Sequence, residues 1–292
     1  MIYLRRRQYL SKITLSTSLN YINEYAFADC PVLDNVTLPE SLKSIQIAAF
    51  NNDVALSSIT FPASLEGIGA SAFANCTDLK EVAFNTSHYN MTIGEDAFKG
   101  SNAISKVKVS HLDSWVSINF SNPDANPARI SHRLYNNGNK EIVNAIIPEG
   151  PIYVNNNVFY ECQYLKSVEL PSTIQFVNDN IFYGCSALER VVSHALIPPM
   201  FIGTDNPSKM NAVFEKANLY VLEGTVSDYQ SDDWWKRFGK AKIIDLTGID
   251  QLTSDEESYC IYSIDGTPVE TLQKGVNIIK YKNGTSKKVV VK

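Results

Sequence analysis

The sequence lacks the residue patterns that most enzymes and metalloproteins carry. It contains no His-Glu-x-x-His, Gly-x-Ser-x-Gly or Gly-x-x-x-x-Gly-Lys motif, and its four histidines stand apart from one another, at positions 88, 111, 132 and 194. Its five cysteines are not clustered with histidines as zinc ligands are. The sequence therefore predicts a protein that is not an enzyme and that uses neither a metal nor an organic cofactor.

Long apolar runs and a strong charge bias are also missing. No segment reaches the roughly 18 apolar residues that a membrane-spanning helix needs. The first ten residues carry three arginines but not the apolar stretch of a secretory signal, so we expect a segment to be missing upstream. The net charge of −5 is spread along the chain, which nominates neither nucleic acid nor a membrane as a partner.

What the sequence does contain is a unit that recurs every 23 residues. Each unit opens with a short apolar strand, often closed by a proline, which tolerates only strand ends. A phenylalanine that we assign to the core follows in each unit. The units begin at Ile13, Val36, Ile59, Val82, Ala145 and Val168, and the phenylalanines are Phe27, Phe50, Phe73, Phe98, Phe159 and Phe182. Such a repeat predicts a solenoid, in which each unit buries its apolar face against its neighbours.

Four cysteines occupy one position of this repeat, three residues after the phenylalanine. They are Cys30, Cys76, Cys162 and Cys185, while Asp53 and Ser101 stand at the same position in two other units. We predict small, buried, free thiols that face the solenoid axis. A strained disulfide between Cys162 and Cys185 is the alternative, because these residues lie in consecutive units. Cys260, near the end of the chain, is expected to fill the face of a strand.

Residues 38–45 (LPESLKSI) and 61–76 (FPASLEGIGASAFANC) carry a family resemblance. They resemble the BspA-like, Treponema-type leucine-rich repeat, and the likeness covers about residues 11 to 248. It implies a leucine-rich-repeat solenoid that is β-rich, with a curved parallel sheet and short helical or irregular segments. It also implies a surface or secreted protein of host-associated microbes that adheres to host matrix proteins or to other cells. The family pattern supplies no catalytic residues.

Two segments depart from the repeat. Residues 110–144 form an irregular insertion, since 38 positions separate Val107 from Ala145 where the repeat predicts 23, and the pair Asn137-Gly138 within it predicts a hairpin turn. Residues 195–248 are predicted to cap the solenoid, with a short helix over 228–238. Aromatic residues in these two segments either complete the core or form a sugar-stacking platform. The platform candidates are Trp115, Tyr135, Trp234 and Trp235.

The composition changes after the predicted solenoid of residues 1–248. Two hairpin signals, at 265–266 and 283–284, predict a small antiparallel all-β module over residues 249–292. Residues 261–266 (IYSIDG) and 275–280 (GVNIIK) resemble the C-terminal sorting domains of the Bacteroidetes type IX secretion pathway. The resemblance implies that nearby lysines belong to an export signal or an anchor. Alternatively, they are solvated residues that protect a sheet edge. These lysines are Lys280, Lys282, Lys287, Lys288 and Lys292.

In each strand, residues next to a core residue point to the outside of the solenoid, and these outward residues form the predicted ligand face. This face comprises Thr14, Thr37, Thr60, Ala83, Lys108 and Glu169. It offers no aromatic anchor, so we predict weak, extended or multivalent contacts with an extracellular protein of a host or a neighbouring microbe. The alternatives are a glycan-binding accessory module that uses the aromatic platform, or a structural scaffold that displays another domain. All three place the protein outside the cell or on its surface.

Overall fold

The computed structural model describes residues 6–204, 210–239, 242–243, 259–263, 268–269, 275–281 and 286–291. The chain divides into two compact units, Met1–Ile244 and Asp245–Lys292. The boundary predicted from the composition is residue 248.

The first unit is a parallel solenoid, which confirms the fold class predicted from the repeat. Each turn contributes one strand to each of two parallel sheets, and strands one turn apart pair in register, as Ile59 pairs with Val82. The first sheet of the amino-terminal half has the order β1-β3-β5-β7-β9-β11. Its strands are β1 (Lys12–Ile13), β3 (Asn35–Val36), β5 (Ser58–Phe61), β7 (Glu81–Phe84), β9 (Lys106–Val109) and β11 (Leu134–Tyr135). The second sheet contains β2 (Tyr21–Ile22), β4 (Ser44–Ile45), β6 (Gly67–Ile68), β8 (Thr92–Ile93) and β10 (Asn119–Phe120).

The carboxy-terminal half of this unit repeats the arrangement with new sheets. One sheet has the order β12-β14-β16-β18-β19, and a shorter one has the order β13-β15-β17. The longer sheet comprises β12 (Asn144–Ile146), β14 (Ser167–Leu170), β16 (Arg190–Ser193), β18 (Asn218–Val221) and β19 (Lys242–Ile243). The shorter sheet comprises β13 (Tyr153–Val154), β15 (Phe176–Val177) and β17 (Met200–Phe201).

The core of the solenoid is a column of stacked phenylalanine rings. Phe50 lies 5.1 Å from both Phe27 and Phe73, measured between ring centroids, and the planes of these rings differ by at most 20°. All the repeat phenylalanines are buried. Offset aromatic stacking adds to the burial of apolar area, so one residue type at one repeat position stabilises the contacts between consecutive turns that carry it, before and after the insertion.

Left-handed backbone on both sides of each phenylalanine closes the turn. The residue two positions before it has a positive φ in every unit, as in Ala48 (51°) and Ser71 (54°). The residue two positions after it does too, and is Asn52 (62°) in one unit and Gly100 (78°) in another. Asparagine and glycine tolerate this conformation best, which explains why they recur there. This turn directs backbone N–H groups at carbonyl groups of the next unit. The backbone N–H of Phe50, for example, donates to the carbonyl of Ala72 at 2.8 Å.

The insertion contains a complete extra turn that the repeat pattern did not predict. Leu134 pairs with Val107, 27 residues earlier, so β11 closes a longer turn of the first sheet. The interval holds α1 (Leu112–Val116), a 3-10 helix (Pro123–Ala125) and α2 (Ala128–Ser131) besides β10. The predicted hairpin is present beyond it, because Tyr135 bridges Glu141 in antiparallel fashion.

The cap contains α3 (Asn211–Lys216), α4 (Val226–Ser231) and a 3-10 helix (Trp235–Phe238). The single helix predicted over 228–238 is therefore wrong: α4 ends at Ser231, and Asp232 adopts extended backbone. The Asp232 carboxylate then accepts the backbone N–H groups of Trp234 and Trp235, both at 2.9 Å. This local capping starts a new helical segment and turns the tryptophans inward.

The second unit is an antiparallel sheet of order β21-β20-β22-β23. Its strands are β20 (Tyr259–Ser263), β21 (Pro268–Val269), β22 (Gly275–Tyr281) and β23 (Ser286–Val291). Lys280, Lys287 and Lys288 lie within these strands. Lys282 and Lys292, with the turn residues 265–266 and 283–284, lie outside the described residues.

Candidate functional site

The first sheet brings most of the predicted ligand face into one row. Thr14, Thr37 and Thr60 are exposed, and each follows a buried or half-buried residue of its strand. Thr60 pairs with Ala83, Ala83 pairs with Lys108, and the row continues to Tyr135, which pairs with Lys108. The strand period of two produces this alignment, because alternate side chains leave the same face of a sheet.

Ala83 and Glu169 do not contribute to the exposed row as predicted. Ala83 is only 8% exposed, because its methyl group is too short to extend beyond Thr60 and Lys108 on either side. Glu169 lies in β14, which belongs to the sheet of the carboxy-terminal half. Its carboxylate contacts His194 Nε2 at 2.6 Å, so an internal partner holds it.

Charged side chains gather at the end of the row. The Glu81 carboxylate lies 2.6 Å from Lys108 Nζ and 3.9 Å from Lys106 Nζ. The Lys106 ammonium lies 5.5 Å from the centre of the Tyr135 ring. Two lysines therefore share one carboxylate beside an aromatic ring, which leaves a local excess of positive charge. The sequence predicts Lys108 and Tyr135 as parts of two different candidate sites. The pairing of β9 with β11 places them side by side.

The predicted aromatic platform is contradicted by burial. Trp115 is 1% exposed and packs between Phe84 and Phe120 at centroid distances of 5.3 and 5.1 Å. Its indole N–H donates to the Val158 carbonyl at 3.0 Å. A sugar ring has no access to the face of this indole, because the core on both sides covers it.

The paired tryptophans of the cap are buried as well. Trp234 is 5% exposed and Trp235 0%, and their rings meet edge to face at 4.7 Å. The Trp235 indole donates to the Pro199 carbonyl at 2.7 Å. Among the platform candidates Tyr135 alone is half-buried, so the other three complete the core.

The four repeat cysteines are free and buried, as predicted. Cys76 and Cys185 donate through sulfur to the carbonyls of Phe50 and Phe159, at 3.2 and 3.0 Å. Burial raises the pKa of Cys162 to about 12. Burial keeps all four thiols protonated, Cys76 and Cys185 act as hydrogen-bond donors, and no disulfide joins Cys162 to Cys185.

The described residues hold no group of three or more histidine, cysteine, aspartate or glutamate side chains placed to bind a metal ion. Within the same part of the chain, no helix has the length and apolar character required to cross a membrane.

Comparison with known families assigns the repeat. A family model described as the BspA type leucine-rich repeat region matches residues 5–124 and 128–197, with six copies. The chain belongs to the BspA-type leucine-rich repeat family. Proteins of this kind are typically non-enzymatic.

Solved structures similar to this BspA-type chain come from several bacteria. A leucine-rich repeat protein from Bacteroides ovatus ATCC 8483 is 21% identical over 75% of this chain and 61% of its own, with a TM-score of 0.41. A leucine-rich cell surface protein from Faecalibacterium prausnitzii A2-165 is 21% identical over 67% and 60%, with a TM-score of 0.28. The pneumococcal vaccine antigen PcpA is 14% identical over 70% and 71%, with a TM-score of 0.28. The chain thus spans less than two thirds of the first two proteins, and no curated protein matches it.

Asp53 stands at the repeat position that a cysteine occupies in most units, and it places a carboxyl group there instead of a thiol. Asp53 is completely buried, and its Oδ1 accepts the backbone N–H of Cys30 at 2.8 Å. Its Oδ2 has no hydrogen-bond partner among the described residues. Burial raises the pKa of Asp53 to about 8, with a smaller contribution from Asp29, although the Cys30 N–H acts in the opposite direction.

Ser101, at the equivalent repeat position, makes two hydrogen bonds to the neighbouring turn. Its hydroxyl accepts from Cys76 N at 2.9 Å and donates to the Phe73 carbonyl at 2.7 Å. Ser101 therefore both accepts and donates at this position, whereas Asp53 only accepts. Asp53 supplies a donor only while it is protonated, which its raised pKa permits at neutral pH.

Proposed function

We propose that this chain is a non-enzymatic interaction protein of the cell surface or extracellular space, which adheres to host matrix proteins or to other cells. The observation that carries the proposal is the row of outward residues on the first sheet, whose strands pair in register from β1 to β11. Membership of the BspA-type family supports the same conclusion.

The composition of this row suits a broad rather than a deep contact. Thr60 presents a small polar group within β5, and Thr14 and Thr37 present the same group directly after β1 and β3. A binding surface without a central aromatic anchor carries little energy per residue, so affinity comes from extended or repeated engagement. The cationic end at Lys106 and Lys108 adds attraction for acidic partners.

The glycan alternative has less support. It required exposed indole faces, and Trp115, Trp234 and Trp235 are buried. Tyr135 is half-buried and already lies beside Lys106. We therefore assign the exposed row, rather than the insertion or the cap, to ligand binding.

The test is an array of immobilised extracellular matrix proteins, mucins and glycans, probed with the purified chain and two variants. Thr37→Glu/Thr60→Glu places two carboxylates in the centre of the row, where they repel an acidic partner, whereas Thr92→Glu places one on an exposed position of the other sheet. We expect a matrix protein to bind the wild type and the Thr92 variant, and to bind the double variant about tenfold more weakly. If only glycans bind, or if no matrix protein does, the proposal fails.

We further propose that residues 249–292 serve export or anchoring, as their resemblance to type IX sorting domains implies. The test compares the full chain with a chain lacking these residues, both expressed with a signal peptide in a bacterium that has this pathway. Surface labelling of the full chain alone is expected. Equal surface labelling of both chains would contradict the proposal.

A further inference from the structure

The carboxy-terminal half of the solenoid has an apolar outer surface on its shorter sheet. Tyr153, Phe176 and Met200 occupy paired outward positions of β13, β15 and β17. Met200 is 59% exposed, and Ile202, two residues later, is 45% exposed. Leu196 and Ile197 lie just before β17 and are 72% and 79% exposed. We call these six residues the apolar patch: Tyr153, Phe176, Leu196, Ile197, Met200 and Ile202.

The same repeat position is mostly polar in the amino-terminal half. There the outward row of the second sheet runs from Tyr21 through Ser44, Gly67 and Thr92 to Asn119. The repeat framework therefore does not require apolar residues at this position. Scattered apolar side chains on a surface are ordinary, but a contiguous group is typical of an interaction site.

The geometry of the patch favours protein side chains over a sugar. The Tyr153 and Phe176 rings stack on each other with centroids 4.9 Å apart and planes 17° from parallel. Their facing surfaces are thus occupied, and the next position in the row is the flexible Met200 side chain. Methionine adapts to varied apolar partners, which suits a protein contact.

The repeat segments that carry the patch contain acidic residues and no lysine or arginine. Residues 144–160, 171–183 and 194–204 contain Glu149 and Asp179 but no lysine or arginine. The Glu149 carboxylate is fixed by the Ser172 hydroxyl at 3.0 Å, and the Asp179 carboxylate by Thr204 N at 2.9 Å. These hydrogen bonds hold both carboxylates in place without neutralising their charge. Electrostatic complementarity therefore selects a basic partner.

From these observations we propose that the apolar patch docks a protein segment in which apolar side chains are flanked by lysine or arginine. The proposal rests on the proposed function in that it assigns a protein ligand, but it names a different sheet and a stated partner chemistry. Apolar contact supplies the affinity, and the acidic surroundings select the partner.

The experiment measures the binding of three short fluorescent peptides by anisotropy at about 0.15 M salt, where long-range charge effects are screened. One peptide combines leucine with lysine, the second combines leucine with glutamate, and the third combines serine with lysine. They are tested on the wild type, on Ile197→Ser/Met200→Ser and on Thr92→Ala, which changes the matched outward position of β8. All three substituted side chains are exposed, so folding is expected to be retained and is checked by thermal melts.

We expect the leucine–lysine peptide to bind the wild type and Thr92→Ala equally, and the double variant about tenfold more weakly. We also expect the leucine–glutamate and serine–lysine peptides to bind weakly throughout. Equal binding of the leucine–lysine peptide to all three proteins would overturn the proposal. So would equal binding of the two leucine peptides, or a patch-dependent dimer seen in sedimentation, which would make a second copy the occupant.

This result separates from the array test of the proposed function. A matrix protein that binds the wild type and the double patch variant alike supports the proposed function, whose site is the row on the first sheet, while the peptide result decides the apolar patch. A peptide result of the expected kind stands on its own even where the array yields no matrix protein.

Discussion

Replacing Asp53 tests whether a buried, neutral carboxylic acid forms part of the solenoid core. The folded protein holds the pKa of Asp53 at about 8. In an unfolded chain an aspartate titrates near 3.9. Asp53→Asn keeps the shape of the side chain, an acceptor and a donor, but removes the titration. Asp53→Ser introduces the residue that, as Ser101, accepts from Cys76 N and donates to the Phe73 carbonyl.

The sign and size of the effect follow from proton linkage. The folded state binds a proton that the unfolded state has released, so this group stabilises the fold fully below about pH 4 and loses that contribution as the pH rises to about 8. Over this window the free energy of unfolding falls by about 1.4 kcal/mol per pH unit, because folding takes up one proton. Above the folded-state pKa the dependence disappears.

The assay is urea-induced unfolding of the wild type, Asp53→Asn and Asp53→Ser at several values between about pH 5 and pH 8. We expect the stability of both variants relative to the wild type to improve by about 3 to 4 kcal/mol across this range. Asp34→Asn, at an exposed aspartate, is the control and should run parallel to the wild type. A difference between the wild type and Asp53→Asn that stays constant with pH would refute the reasoning.

Three further predictions concern the core. Phe73→Ala should lower the free energy of unfolding by about 3 to 5 kcal/mol, because it removes one ring from the stacked column. Thr60→Ala, at an exposed residue, should change it little. Equal melting temperatures of the two variants would contradict the placing of Phe73 in the core and Thr60 on the surface. Trp115→Phe should lower the free energy of unfolding by about 1 to 3 kcal/mol, because the Val158 carbonyl loses the indole donor and keeps only the longer 3.4 Å bond from Asn126 Nδ2; an unchanged midpoint in chemical denaturation would contradict this. The four repeat cysteines should react with a thiol reagent only after denaturation, because they are buried and protonated; rapid labelling of the native protein would count against their place in the core.

The repeat made the solenoid predictable because the core positions repeat with it. Phe73, Cys76 and Ile59 are fixed by contacts with identical positions one turn away, so their burial follows from the pattern alone. The extra turn of the insertion was missed because α1, with Trp115, lies between β9 and β10, where several other turns have a proline and a short turn. Its only signals were the surplus length and the tryptophan.

The surface was much less predictable than the core. Outward positions vary between units, so a repeat gives their direction but not their surroundings. Ala83 points outward with the threonines yet is buried, because its exposure depends on the lengths of its neighbours. The apolar patch escaped notice for the same reason: Tyr153, Phe176 and Met200 stand 23 and 24 residues apart and meet only through the strand register.

The stacked turns determine how the solenoid responds to mechanical load. Hydrogen bonds between paired strands such as β5 and β7 join one turn to the next, so tension along the stacking direction acts on these bonds directly. Each turn separates from its neighbour as a unit, because the phenylalanine column breaks only between turns. A regular turn of 23 residues, once pulled out, lengthens the chain by about 80 Å at some 3.5 Å per residue. Under tension along the stacking direction the solenoid would therefore lengthen turn by turn, with a longer step where a turn is longer, as between β9 and β11, and each step would dissipate work.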